Sequence, residues 1–356
     1  MSAATPQSAN SLPRDRRGRP LRDLRVSVTD RCNFRCNYCM PRDAFGRGHR
    51  FLPKRELLRF EEIETLARAF TGLGVHKIRL TGGEPLLRND LEDLVARLAQ
   101  LDELDDLALT TNASLLTRAR ADSLRRAGIR RVNISLDALD ERVYRQINQI
   151  DSPLGDVLGG IEHALGAGFD AVKINMVVQK GVNDGEILPM ARRFRGSGAI
   201  LRFIEFMDVG NHNRWSLGRV CTAREILETI AAAHPLEPLE ANHHGEVAKR
   251  WRYADGGGEI GVIASVSEPF CGGCARARLS AIGELYTCLF AVSGFDLRKW
   301  LRAGLGAEEL RARIGALWRG RRDQYSVERL SQPRTAHSGA GAAQNSQKVE
   351  MSYIGG

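Results

Sequence analysis

The sequence predicts an α/β fold: six β/α units in series around a parallel sheet, open or curled into a partial barrel, with an α+β extension behind them. Three observations predict it. Between Leu24 and Met207 short β-like runs alternate with amphipathic helical stretches, a pattern that requires right-handed crossovers between parallel strands. Several of those runs alternate polar and apolar residues, unlike the continuous apolar strands of a sheet covered on both faces. After Gly210 the alternation stops, and shorter β-like and helical pieces follow.

The strand candidates are LRVSVTD (24–30), KIRLTGG (77–83), DLALTTN (106–112), RVNISLD (131–137), AVKINMVV (171–178) and AILRFIEFM (199–207). Between them, Ile63, Leu66, Ala67, Phe70 and Leu73 repeat at helical spacing, as do Leu91, Leu94, Val95, Leu98 and Leu101. Arg25, Ser27 and Thr29 share one face of the first strand. Arg79, Thr81 and Gly83 share a face of the second, and Thr110 and Asn112 of the third. Asn133, Ser135 and Asp137 follow in the fourth, Lys173 and Asn175 in the fifth. With the apolar faces against helices, these polar faces line a common interior. A packed barrel core would be filled with Val, Ile and Leu, so this interior is expected to hold something polar and anionic.

Beyond Gly210, TAREILETIAAA (222–233) reads as a helix, β-like pieces follow around 249–266 and 278–288, and helical runs occupy 295–303 and 306–318. A Gly/Ala/Ser/Gln-rich stretch then leads to the terminal MSYIGG, and 321–356 is expected to be a flexible tail. The first 22 residues, rich in Arg, Ser and Pro with Asp15 the only acid, read as a disordered arm that weakly mimics a transit peptide.

The 356-residue chain is basic, with 52 Lys and Arg against 43 Asp and Glu, which favours an anionic partner. It has no apolar run long enough to span a bilayer and no secretory apolar region after Met1, so a cytoplasmic protein without a membrane partner is expected. The 7 cysteines are then better read as ligands or free thiols than as disulfides.

Six of the cysteines form two groups. Cys32, Cys36 and Cys39 have the spacing C-x3-C-x2-C, and Cys271, Cys274 and Cys288 the spacing C-x2-C-x13-C. The first spacing also suits one face of a helix, but the run follows a strand, contains Asn33 and Asn37, and ends at Met40-Pro41. It reads as a loop at the carboxyl end of the first strand, where β/α folds place their active sites. Three thiolates leave a tetrahedral zinc one ligand short, although His49 could complete the first group. Three would hold a cubane iron–sulfur cluster with one iron open to a ligand that is not protein. The cluster is the favoured reading at both groups, and zinc stays open. Cys221, alone before a helix start, reads as an ordinary thiol.

C-x3-C-x2-C with Tyr38 before its last cysteine resembles the signature of the radical S-adenosylmethionine (SAM) enzymes, and TGGEPLLR (81–88) resembles their Gly-Gly-Glu element. The run RDLRVSVTDRCNFRCNYCMP, the second cysteine motif with RAR behind its CxxC, RFIEFM and the terminal Gly355-Gly356 narrow the resemblance to the GTP 3′,8-cyclase family of molybdenum-cofactor biosynthesis. Ala275, where Asn often follows the CxxC, and Ile282, where Asp usually precedes the Gly, depart from the family pattern without removing a ligand or a basic contact.

The resemblance implies a partial (β/α)6 barrel over 23–215 and an α+β region over 216–320 carrying a second cluster site. It implies [4Fe–4S] clusters on Cys32, Cys36 and Cys39 and on Cys271, Cys274 and Cys288, with SAM at the first and the guanine base at the second. Tyr38, Gly83, Ser135 and Met207 would contact SAM, with Glu84 near its amino group. Arg25, Arg79, Thr110, Lys173, Arg276 and Arg278 would contact GTP, and Gly355 and Gly356 would reach into the active site. It further implies a homodimer, an electron donor and a downstream pterin-forming enzyme. Two rivals are set against it. A peptide-maturing radical SAM enzyme would carry more auxiliary cysteines. A zinc-dependent nucleic-acid-binding protein would show exposed basic residues with stacking aromatics, whereas aromatic content is 6% and the basic residues fall on barrel-facing positions.

Overall fold

The computed structural model describes residues 12–243, 245–331 and 347–355. The strands are β1 (Asp23–Ser27), β2 (Lys77–Thr81), β3 (Asp106–Thr111), β4 (Arg131–Ser135), β5 (Ala171–Val178), β6 (Ile200–Glu205), β7 (Leu236–Leu239), β8 (Lys249–Tyr253), β9 (Glu259–Ile263), β10 (Arg276–Leu279), β11 (Glu284–Tyr286) and β12 (Phe295–Asp296). All belong to one sheet of order β12-β11-β10-β1-β2-β3-β4-β5-β6-β9-β8-β7. β1 to β6 are parallel in chain order. The sheet curls enough for Arg25, Arg79, Thr110, Ser135, Asn175 and Arg202, one from each of these strands, to line a single cavity.

The region after Gly210 continues this sheet on both sides. β10 pairs parallel with β1 and β9 parallel with β6, and antiparallel strands extend each edge. The sequence pattern predicts no strand at β7, and it predicts helix where β12 precedes Leu297–Arg302. Both strands are short edge strands, too brief for a period to show.

The helices bury the stripes that their spacing predicts. Ile63, Leu66, Ala67 and Phe70 of Phe60–Thr71 are buried, as are Leu91, Leu94, Val95 and Leu98 of Leu91–Leu98. Side-chain caps set several helix starts. Thr117 accepts from the Arg120 amide, Asp140 from those of Arg142 and Val143, and Thr222 forms a capping box with Glu225. Glu205, fully buried at the end of β6, accepts from the backbone amides of Ala223, Val266 and Ser267 and so pins three segments together. Among the described residues, no helix is long and apolar enough to cross a membrane.

Part of the arm expected to be disordered is packed, with Pro13, Asp15 and Arg19 buried. Arg14 bridges to Pro20, and the fully buried carboxylate of Asp15 accepts from the amides of Arg17 and Arg19 and pairs with the Arg19 guanidinium at 2.6 Å. Composition suggests disorder because the partners that order this segment lie some three hundred residues away, in Asp323 and Arg321. The expected flexible tail also has packed parts. Tyr325–Ser331 and Met351–Ile354 are helical, and Ser352 and Ile354 are buried.

Candidate active site

Most of the strands end about two residues earlier than the sequence pattern predicts, and the surplus residues form the loops that build the site. After β1 the chain leaves the ladder through Val28–Asp30, and after β2 through Gly82 and Gly83. These loops pack backbone to backbone. The Gly83 amide donates to Thr29 O at 2.8 Å and the Glu84 amide to Arg31 O at 2.8 Å. A Cβ on Gly83 would lie 2.1 Å from Arg31 O, and one on Gly82, whose φ is +142°, would lie 2.3 Å from Thr29 O. The glycines are therefore required by the approach of the first cysteine loop. Gly83→Ala is expected to push Thr29–Arg31 away, lowering stability by about 2–4 kcal/mol. SAM affinity of the reconstituted protein would fall with it; unchanged melting and SAM titration curves would refute this.

Glu84 is fully buried, and its carboxylate accepts from the Leu86 amide at 3.0 Å, the Thr111 hydroxyl at 2.7 Å and the Asn112 amide at 2.7 Å. It ties the second loop to the end of β3. Tyr38 donates its hydroxyl to Asp137 at 2.8 Å, and Asp137 also accepts from the Val177 amide. Burial lifts the Asp137 carboxyl to about 6 despite these bonds.

One cavity collects most of the residues singled out in the sequence. All six grouped cysteines line it, with Tyr38, Gly83, Glu84, Ser135 and Met207, and with Arg25, Arg79, Thr110, Arg276 and Arg278. Lys173 does not. Its side chain is half-buried, and burial, followed by repulsion from Arg202 and Arg131, brings its amine down to about 8. Arg202, which sequence reasoning missed, lines the cavity instead, donating to Asn175 at 2.9 Å and Asn133 at 2.7 Å. The signal was available, because Arg202 interrupts the apolar residues of the sixth strand. Gly355 sits on the cavity residue Thr81. Its φ is +75°, and a Cβ there would lie only 2.3 Å from Thr81 Cγ2, so that seat accepts only glycine. Gly356 lies outside the described residues.

Cys274 faces electrostatics opposite to those of the first thiol group, whereas burial raises Cys288 as it raises that group. Burial pushes Cys32 up to about 12, with Glu84 adding to it, and raises Cys36, with Asp137 and the neighbouring thiols adding. At Cys274 burial works in the same sense, but the Arg276 and Arg321 guanidinium groups outweigh it and bring the thiol down to about 5. Among the described residues, no three His, Cys, Asp or Glu side chains converge on a point one ion could occupy. His49 is held between the rings of Phe45 and Phe51 and is not part of the cavity wall.

Between the thiol groups lies a set of buried cations. The Arg25 guanidinium is disfavoured by burial and then by Arg79, Arg278 and Arg276, and burial and Arg276 lower Arg278 to about 10. Among the described residues, Arg79 Nε, Arg278 Nε and Thr110 Oγ1 are buried without a hydrogen-bond partner. Buried donors rarely stay unpaired, and cations this close repel, so the wall is complementary to a polyanion.

A six-stranded parallel β/α sheet with a three-cysteine loop at the carboxyl end of its first strand is the arrangement of a radical SAM enzyme. The chain matches the Radical SAM superfamily over residues 26–194 and Molybdenum Cofactor Synthesis C over residues 199–327. It is 51% identical to the GTP 3′,8-cyclase of Acidothermus cellulolyticus, over 96% of this chain and 99% of that one. With that of Staphylococcus carnosus it shares 48% identity over 96% and 98% of the two chains. The chain belongs to the GTP 3′,8-cyclase family. Among solved structures, Streptococcus suis SuiB bound to S-adenosylmethionine aligns with 59% of this chain and 47% of its own at 16% identity and a TM-score of 0.49, a distant likeness.

Proposed function

We propose that the chain converts GTP to (8S)-3′,8-cyclo-7,8-dihydroguanosine 5′-triphosphate, the first step of molybdenum-cofactor biosynthesis. The observation that carries this reading is the set of buried guanidinium groups with unpaired donors, set between two three-thiol groups in one cavity. Cys32, Cys36 and Cys39 would hold a [4Fe–4S] cluster with one iron left for SAM, and Cys271, Cys274 and Cys288 a second with one iron left for the guanine base. When bound, the first cluster and SAM would supply, on one-electron reduction, the 5′-deoxyadenosyl radical that takes hydrogen from ribose C3′; joining C3′ to guanine C8 would then require one further electron, traceable to the external donor, and one proton to give the 7,8-dihydro product.

The chain's own residues do the positioning. Arg25, Arg79, Arg202 and Arg278 take the triphosphate, and Thr110 Oγ1 offers a further polar contact. Tyr38, Gly83, Ser135 and Met207 surround SAM, and Glu84 accepts from its amino group while holding its loop. Fixing both ends of the nucleotide brings C3′ and C8 into reach and removes the entropic part of the barrier. Gly355 on Thr81 and Met351 on the cavity wall carry the tail to the site, where they exclude water. An external electron donor, a homodimer and a downstream pterin-forming enzyme belong to the same reading.

The test is release of 5′-deoxyadenosine by anaerobically reconstituted protein with SAM and a strong reductant, with and without GTP. GTP-dependent release accompanied by a cyclised nucleotide is expected. Release indifferent to GTP would redirect the search to another substrate, and no release from iron-loaded protein would overturn the reading.

A further inference from the structure

We propose that Arg321, oriented by Asp15, is a positioning residue that holds the Cys271–Cys274 turn in ligating geometry and biases the second cluster toward its reduced form. The inference rests on the two-cluster reading above, and it concerns residues to which neither the cysteine spacing nor the substrate contacts point.

The turn is short and its carbonyls face inward. Cys271–Gly273 forms one 3-10 turn, closed by the Cys274 amide on Cys271 O at 3.2 Å. Both end carbonyls receive a guanidinium: Cys271 O accepts from Arg19 Nη1 at 2.8 Å, and Cys274 O from Arg321 Nη1 at 2.7 Å. The second arm of Arg321 reaches the thiol itself, with Nη2 3.4 Å from Cys274 Sγ. One guanidinium therefore grips the backbone and the sulfur of the same residue, a two-point contact that a lysine cannot reproduce.

Everything behind that contact is buried and tied. The side chains of Arg321 and Asp15 are 1% and 0% exposed, and the Asp15 carboxylate joins Arg19 at 2.6 Å to Arg321 at 3.3 Å. Arg321 lies over the Trp318 ring, 4.5 Å from its centroid, and Trp318 Nε1 donates to Arg19 O at 3.0 Å. Arg321 Nε also meets Asp323 at 3.2 Å, and Asp323 accepts from the Thr287 hydroxyl at 2.7 Å, beside Cys288. The network thus reaches the neighbourhood of all three thiols of the second group. The first group has different surroundings: Cys32 Sγ accepts from the Phe34 amide and the Cys36 thiol meets the Asn148 carbonyl oxygen.

A cation hydrogen-bonded to a ligand sulfur favours the more negative state of a cluster, so the second cluster should be the easier of the two to reduce. The couple is a one-electron change, with the electron supplied by the reductant in solution and no proton or bond to balance. Arg276 also donates to Cys274 Sγ, at 3.4 Å and 3.2 Å, but it is placed among the substrate contacts and is a poorer probe.

The experiment is a redox titration of the reconstituted full-length chain, followed by electron paramagnetic resonance, on wild type, Arg321→Met and Arg321→Lys. At a fixed potential the reduced-to-oxidised ratio of the second cluster is expected to fall about tenfold in Arg321→Met, about 59 mV for a one-electron couple. Arg321→Lys should fall between, and the first cluster, as internal reference, should not move. Selective loss of the second signal with the first retained would equally support the holding role. Two loaded clusters with unmoved midpoints in both variants would overturn the inference, as would loss of both clusters together. Wild type showing one signal and about four irons per chain would sink the two-cluster reading itself, and the inference with it, before any variant is made.

Discussion

Cys36→Ser is expected to abolish 5′-deoxyadenosine formation while leaving the metal-free fold intact. The side chain keeps its size, but the alcohol does not ionise at neutral pH and cannot serve as a thiolate ligand. On the two-cluster reading, iron after reconstitution should drop from about eight to about four per chain, the second group retaining its cluster. SAM would then lack the iron that positions it, and turnover should fall by at least about a thousandfold, as when one member of a catalytic unit is removed. Stability without iron should not fall. The Cys36 thiol is held up by burial, then by Asp137 and by Cys32 and Cys39, so the iron-free protein loses no thiolate charge. Iron analysis, product assay and melting of the iron-free protein read the three parts separately. Wild-type turnover at half the iron would refute the assignment.

Arg278→Met is expected to make the substrate-free protein more stable and the substrate-bound protein less so. Arg278 is 3% exposed, its Nε has no partner among the described residues, and burial followed by Arg276 lowers its guanidinium to about 10. A group whose charged form the fold disfavours is a cost of folding, and an apolar side chain of similar length removes it. Relief of roughly 1 kcal/mol should raise the melting temperature by about 2 °C in a chain of this size. GTP at a hundred times its Kd stabilises a single site by about 2.7 kcal/mol, and that increment should shrink in the variant as affinity falls at least about tenfold. The opposite signs are the signature. A variant that melts lower without GTP, yet keeps the full GTP-induced shift, would show Arg278 to be an ordinary structural cation.

Some of this was legible in the sequence because it is local. Alternation along a strand has a period of two, so the polar faces carrying Arg25, Arg79 and Thr110 could be assigned to one interior before any contact was known. The cysteine loops were legible for the same reason, since both motifs lie within short segments. What escaped depends on partners far apart in the chain. Lys173 obeys the alternation, yet Arg202 of the neighbouring strand reaches across to Asn133 and occupies the wall in its place. Asp15 looked like the lone acid of a disordered arm, but its role follows from Arg321, which no periodicity links to it. Glu205 was legible as part of a motif, but not as the acceptor of three backbone amides from two later segments.

The pairing of β1 with β10 has a consequence for how the chain is made. Asp23 lies opposite Arg276, so the strand that leads into the first thiol group is synthesised long before one of its two neighbours. Until that neighbour emerges from the ribosome, β1 presents an open edge capable of joining a foreign strand. Contacts between such distant segments form slowly and leave partly folded chains prone to aggregate. The second thiol group follows the same timetable, since Cys288 comes after β10 and the Arg321 that grips Cys274 comes later still. Covering of the β1 edge and completion of the second thiol group are thus deferred to the end of synthesis, which keeps the cavity from being finished before both sets of thiols are present.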